Sequence, residues 1–354
     1  MEYSAAQYDP VLAGPYLSDL LAQPDALHAV RSELAAASLD PAICARLQSG
    51  QYRRVVLTGM GSSLHALYPL HRALSTHGIT SHWIETAELL LGFEAFYQQD
   101  TLLIAVSQSG ESAETVRLLP RFAEFGHVIG ITNDASSRLG CAAATPLDIC
   151  AGPESTVSCK TYINTLACLC WLAGQLTGGS AERTNLELAA AEWGVREYLA
   201  RWREHVSHWL PMLDGVRSVF VTGRGDSLAA AGTGGLILKE STRLHAEGMS
   251  AAAFRHGPLE MAGDQVLVLI FEGDRNSAVH HRRLAEDVIR GGGRVALIGE
   301  AQPTVEVGRL PTAPSAVRPL LEILPVQMLS LALATRDGIE AGRFTRASKI
   351  TVTE

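Results

Sequence analysis

The chain repeats itself, and that repeat restricts what it can fold into more than any other feature. The segment Val55–Ser63, VVLTGMGSS, resembles Val219–Ser227, VFVTGRGDS. Both read as a buried strand that runs into a glycine-rich turn. The offset of 164 residues that separates Val55 from Val219 also carries the next strong strand, Leu102–Ser112 (LLIAVSQSGES), onto Val266–Asn276 (VLVLIFEGDRN). The third strand of each half, HVIGITN near 127 and RVALIGE near 294, agrees within a few residues. Two independent strands matching at one offset point to two copies of one α/β unit.

Each copy alternates short unbroken Val/Ile/Leu runs with helical stretches. Strands buried on both faces read this way, so the expectation is a parallel sheet covered by helices. The first half gives strands near 54–58, 80–85, 102–107, 127–132 and 146–150, with helices at 62–76 and 112–125 and a long apolar helix at 155–178. The second half gives strands near 217–222, 266–271, 294–299 and 305–310, with helices near 226–245, 278–291 and 318–335. Residues 1–50 read as helical, and 180–210 as an amphipathic connecting helix. The expected fold class is α/β: two tandem doubly wound, flavodoxin-like domains with parallel sheets. The expected division is a helical arm over 1–45, a first domain over 46–190, a second over 191–345 and a tail over 346–354.

Composition then excludes whole classes. The chain has 354 residues, 47% hydrophobic and 19% charged, with a net charge of −8. That is no disordered chain or coiled coil. Its acidic balance gives no global field to attract a phosphate backbone, so no nucleic-acid partner is expected. The N-terminus has no basic stretch followed by an apolar core, and runs such as QVLVLIF fall short of the ~18 residues of a membrane span. The six cysteines form no CxxC pair and no zinc spacing, so neither metal nor disulfide is expected, and the location reads as cytoplasmic.

In doubly wound sheets, ligands meet the turns after the strands. The sharpest such turn is Ser107-Gln108-Ser109-Gly110-Glu111-Ser112, which leaves a buried strand and opens a helix. Free backbone N–H groups there, with three hydroxyls and one amide, can hold a phosphate without a lysine; a plain serine cap on a glycine turn is the alternative. The repeat discriminates between them. Its matching turn, Phe271-Glu272-Gly273-Asp274-Arg275, carries two carboxylates that would repel a phosphate, so the hydroxyls are not demanded by the fold. The neighbouring turn, Gly59-Met60-Gly61-Ser62-Ser63, lets backbone approach a ligand at Gly61 and adds Ser62 and Ser63 as donors. Leu64 stands where a dinucleotide fingerprint needs glycine, and no GK[ST] follows, so neither NAD nor ATP is expected.

Proton-transfer candidates lie in the second half. Lys239-Glu240 closes the helix that begins at Asp226, whose Gly232, Gly234 and Gly235 imply close backbone packing. The run from His245 leads to Arg255-His256-Gly257-Pro258, which puts His256 on a loop. With a sugar-phosphate pocket, Glu240 and His256 make a sensible pair: a carboxylate to move a carbon-bound proton and a histidine to open a ring.

These motifs (GMGSS, SQSGES, GRGDS, Lys239-Glu240, HAEG, RHGP and the tail Ala347-Ser348-Lys349-Ile350-Thr351-Val352) resemble the SIS (sugar isomerase) family over residues 45–354. The likeness is to its two-domain members: the isomerase domain of glucosamine-6-phosphate synthase, and stand-alone amino-sugar-phosphate deaminases and fructosamine-phosphate deglycases. The resemblance implies that Gly61, Ser62, Ser63, Ser107, Gln108, Ser109, Ser112 and Ser158 bind a sugar phosphate. It implies that Glu240 is the enolisation base, that His256 opens the ring in a neighbouring subunit's site within a homodimer, and that Lys349 approaches the open-chain carbonyl, with no cofactor.

The sequence also departs from that family. The first repeat begins near residue 50, so no glutaminase domain with its nucleophilic cysteine is expected. Ile237 replaces the first lysine of KLKE, Ala253 replaces a glutamate before the RHGP loop, and the Gly152–Lys160 loop is one residue short. The expected activity is therefore amino-sugar-6-phosphate deamination or isomerisation. Fructosamine-phosphate deglycation comes second, and a non-catalytic sugar-phosphate sensor is the rival of another class.

Overall fold

The computed structural model describes residues 12, 14–274, 276–300, 303–346 and 348–351. It divides into two units. One comprises Asp25–Glu154, Lys160–Ala189 and the described residues from Arg346 onward. The other comprises the described residues through Pro24, Ser155–Cys159 and Ala190–Thr345.

The first of these holds a five-stranded parallel sheet of β1 (Arg54–Gly59), β2 (Ser81–Glu85), β3 (Thr101–Val106), β4 (His127–Thr132) and β5 (Thr145–Asp148). The spatial order is β2-β1-β3-β4-β5, the flavodoxin-like order. Val55 pairs with both Ser81 and Leu102, and Leu103 with Val128. Every residue of β3 is buried, because helices cover both faces. On one face Leu89, Leu118, Phe122 and Leu139 close over Val56, Leu103 and Val128. On the other lie the helices Gly61–Ala66, Tyr68–Thr76 and Lys160–Thr177. The last is buried nearly all round, as its continuous apolar composition requires.

Prolines break two expected helices. Pro69 splits 62–76 into Gly61–Ala66 and Tyr68–Thr76, and Pro120 converts the end of 112–125 into the 3₁₀ turn Leu119–Glu124 after the helix Ala113–Leu118, since proline brings no N–H to an inner helical bond. The helix expected from 155 begins at Lys160, after a run of bends.

The second unit holds β6 (Ser218–Gly223), β7 (His245–Ser250), β8 (Val266–Phe271) and β9 (Arg294–Ile298), all parallel, in the order β7-β6-β8-β9. Phe220, Phe254, Val268, Ile270, Leu284 and Val288 form the core of one face. The helices Leu228–Thr242 and Arg318–Asp337 pack together on the other. The glycines of the first of these bring it against β7. A Cβ on Gly235 would lie 2.4 Å from the Gly248 nitrogen, and one on Gly248 would lie 2.1 Å from the Ala231 oxygen. Backbone packs on backbone here, and the helical cost of glycine, ~1 kcal/mol each, is the condition of that approach.

Three expectations are corrected. The stretch from His245 is a strand, paired with β6 from Ser218↔His245 to Gly223↔Ser250. Residues 305–310 make no strand: Glu306–Gly308 is a 3₁₀ turn and the only pairing is the isolated bridge Gly299↔Arg309. The segment 180–210 is two helices, Ala181–Leu199 and Trp202–Trp209. In addition, Ser315–Asp337 is long and apolar enough to cross a membrane by composition, which the sequence runs did not suggest; 89% of its 18-residue apolar window is buried inside the protein.

Candidate functional site

The turn after β3 gathers polar side chains and backbone N–H groups at the end of a buried strand. Ser107 is 6% exposed; its N–H donates to the Ile131 carbonyl (3.0 Å) and its carbonyl accepts from the Gly110 N–H (3.1 Å). Gly110 has φ +64°, and a Cβ there would lie 2.0 Å from Ser137 Oγ, so the turn closes only on glycine. Ser109 Oγ accepts from the Glu111 N–H at 3.1 Å, and Ser112 Oγ donates to Thr115 Oγ1 at 2.7 Å. The Gln108 amide is half-buried and has no hydrogen-bond partner among the described residues. The register of β1 and β3 sets Gly59 beside Val106, so the turns that follow them are neighbours. There Gly61 has φ +51°, and the half-buried hydroxyls of Ser62 and Ser63 are likewise unpartnered among the described residues.

The single acid in the turn is turned away from these donors. Glu111 accepts from the Arg138 backbone N–H at 2.7 Å and from its Nε at 2.6 Å. Those bonds hold its carboxyl below the usual range, with the backbone N–H of Arg138 the largest cause. The local balance is therefore neutral donors without a free negative charge, which suits an oxyanion.

The tail belongs to this unit. The Ala113 N–H, next after Ser112, donates to the Thr351 carbonyl at 3.0 Å. Lys349 Nζ lies 2.5 Å from Glu154 Oε2. Two thiols of the unit are poor nucleophiles: burial pushes Cys150 up to about 11 and Cys168 up to about 12.

The twins of these two turns, after β6 and β8 in the other unit, carry serines bonded within that unit. Ser227 Oγ donates to Glu322 Oε1 at 2.8 Å. Ser277 Oγ donates to the Glu272 and Asp274 carbonyls at 3.2 and 2.9 Å. The Glu272 carboxylate lies over Gly299, 1.8 Å from where a Cβ would stand. Glu322 is 1% exposed, and burial raises its carboxyl to about 7 against the lowering effect of Ser227 and Arg318. Glu240 and Lys239 are exposed at the end of the Leu228–Thr242 helix, and His256 is exposed in the turn after Ala251–Phe254. Its neighbour Arg255 is fixed by Asp287 at 2.6 Å, and Gly257 has φ +127°. Ser158 is half-buried in the bends before Lys160. Thus the structure brings Gly61, Ser62, Ser63, Ser107, Gln108, Ser109, Ser112 and Lys349 into one unit, and Glu240, His256 and Ser158 into the other.

Sequence reasoning missed Glu154, Glu322 and the Glu111–Arg138 clasp. Each depends on a partner distant in sequence, although Glu111, inside the Ser107–Ser112 turn, and Glu154, inside the Gly152–Lys160 loop, lay in segments singled out beforehand.

The SIS domain family matches residues 51–173 and 212–304. The chain belongs to that family. It is 30% identical over 321 residues to the glutamine–fructose-6-phosphate aminotransferase (isomerizing) of Pyrococcus horikoshii, an alignment that covers 86% of this chain and 52% of that protein. The chain thus spans about half the length of the curated relatives it matches. In fold it is similar to the C-terminal domain of glucosamine-fructose-6-phosphate aminotransferase from Francisella tularensis, with a TM-score of 0.82 at 18% identity over 96% of this chain and 100% of that one. It is also similar to glucosamine-6-phosphate deaminase from Thermotoga maritima, with a TM-score of 0.72 at 19% identity over 95% and 99%.

Proposed function

We propose that this protein is a phosphosugar isomerase or deaminase that acts on a 6-phosphorylated amino sugar, with glucosamine 6-phosphate the favoured substrate. The observation that carries this reading is the asymmetry of the twin turns. The turn after β3 presents serine hydroxyls and the unpartnered Gln108 amide, with the unpartnered hydroxyls of Ser62 and Ser63 on the turn beside it and its acid clasped by Arg138; its twin carries Glu272 and Asp274 instead, and Ser227, the counterpart of Ser63, is bonded to Glu322. A phosphate dianion is the ligand that such a neutral, donor-rich turn accepts and its acidic twin refuses.

In this reading the phosphate is held by Ser62, Ser63, Ser107, Gln108, Ser109 and Ser112, with Gly61 admitting backbone N–H groups. The region 46–190 binds the phosphate, and 191–345 supplies acid–base groups, Ser158 adding a contact to the sugar. His256 opens the ring to the aldehyde, serving a neighbouring subunit in a homodimer. Glu240 removes the C2 proton to give an enolamine and returns a proton to C1. The resulting C2 imine takes up water and releases ammonia, leaving fructose 6-phosphate. Lys349 donates to the oxygen of the open-chain carbonyl. The steps are proton transfers and one hydrolysis, so side chains suffice.

A second reading, fructosamine-6-phosphate deglycation, is favoured by Ile237 and Ala253, which take a cation and a carboxylate out of the family pattern and suit a bulkier amine as leaving group. The test is incubation with glucosamine 6-phosphate while ammonia and fructose 6-phosphate are followed, with fructosamine 6-phosphate in parallel. Turnover of the first supports the favoured reading. Binding of both without turnover would make the protein a sensor.

A further inference from the structure

The chain has three lysines among its 29 cationic residues: Lys160, Lys239 and Lys349. Many of the described residues' other cation–carboxylate pairs use arginine, as in Arg138–Glu111 and Arg255–Asp287. Arginine's planar fork is the better choice for simple pairing; lysine is a compact charge with three donors. Lys349 commits one of these to Glu154. The Glu154 side chain is wholly buried, whereas that of Lys349 is 21% exposed. Glu154 is fixed from behind by Thr161, whose N–H donates to Oε1 at 3.1 Å and whose hydroxyl donates to Oε2 at 2.6 Å. Two residues beyond Lys349, the Thr351 carbonyl is held by Ala113, which follows Ser112 of the hydroxyl-rich turn. A tail lysine paired for stability alone would sit on an exposed carboxylate at little cost; a buried one is a demanding partner. What this arrangement delivers is a location.

We propose that Glu154 is the positioning residue for Lys349, its buried carboxylate anchoring the ammonium beside the phosphate turn so that the remaining donors meet the substrate. This rests on the reading that a sugar phosphate binds there, and the experiment separates the two.

The folded protein is acetylated with an N-hydroxysuccinimide ester, and the rates at Lys349 and Lys239 are read by peptide mass spectrometry. Lys349 should react several-fold more slowly than Lys239 in the wild type. Glu154→Gln should raise the rate at Lys349 several-fold and leave Lys239 unchanged. An unchanged rate at Lys349 overturns the proposal whatever the substrate. Glu154→Asp, which keeps the charge but withdraws it by one methylene, should give an intermediate rate, and it serves alone if Glu154→Gln does not fold; a wild-type rate in it overturns the proposal equally. With glucosamine 6-phosphate, Glu154→Gln should lower kcat roughly 10–100-fold, the scale of misplacing a reacting group by about an ångström, with KM little changed. The same substitution in a Lys349→Met background should cause no further loss, whereas an additive loss would show a structural role instead. Altered labelling with no turnover by the wild type would uphold the positioning and reject the substrate.

Discussion

Glu111 grips Arg138 twice, taking its backbone N–H at 2.7 Å and its Nε at 2.6 Å. One carboxylate thereby caps the Arg138–Ala142 helix and ties it to the turn after β3. The side chains are partly exposed, 58% for Arg138 and 34% for Glu111, so the clasp adds little to global stability. Its weight falls on the geometry of the turn and on keeping a negative charge out of it.

Glu111→Ala should therefore weaken sugar-phosphate binding while hardly moving the melting temperature, as calorimetric titration and thermal unfolding would show. The Glu111 carboxyl is lowered in the folded protein, so its contribution is present above its unfolded value and fades as pH falls through the folded one. A binding loss in Glu111→Ala that persisted undiminished in strong acid would reject this account.

Gly110→Ala should destabilise the β1–β5 unit by about 1–3 kcal/mol, because alanine is strained at φ +64°. It also meets Ser137 Oγ at 2.0 Å and Cβ at 2.6 Å. Adding Ser137→Ala removes only the hydroxyl, so stability in denaturant should recover only partly.

Glu322 gives a pH signature of the opposite sign to Glu111. Its carboxyl is raised from 4.5 to about 7 in the fold. The folded state then holds a proton that the unfolded state releases, so stability should fall as pH rises from about 4.5 to about 7 and level off above. Glu322→Gln, which can still accept from Ser227, should flatten this slope and melt several degrees higher than the wild type at pH 8. Equal melting curves at pH 8 would show that Glu322 is solvated in the folded protein.

Glu240→Gln should lower turnover of the amino-sugar phosphate by about 10²–10⁴-fold, the usual contribution of a general base. It should leave the dissociation constant of the phosphosugar within a few-fold, since the proposed phosphate donors lie on the other unit. Unchanged rates would remove Glu240 from the mechanism.

Much of the fold was legible because buried parallel strands advertise themselves: β1, β3, β6 and β8 each contain a continuous apolar run of three or more residues. β7 was not. His245-Ala246-Glu247-Gly248-Met249-Ser250 has no β-branched residue and no alternation; it is a strand because β6 pairs with it and the Leu228–Thr242 helix rests on Gly248. The 305–310 run failed in the other direction. Its valines and leucine suggest a strand, yet a tight 3₁₀ turn leaves a single bridge to β9's end. At the candidate site, serines next to glycine were legible because turn chemistry is local. Glu154 and Glu322 gain their character from Lys349 and Ser227, 195 and 95 residues away in sequence, and no window on the chain contains both partners.

The acidic turn at Glu272 has a consequence for stoichiometry. A duplicated chain offers two homologous turns, yet the one after β8 carries Glu272 and Asp274 where the one after β3 carries hydroxyls and an amide. Titration should thus reach saturation at one equivalent of sugar phosphate per polypeptide, with a single hyperbola and no weaker second phase.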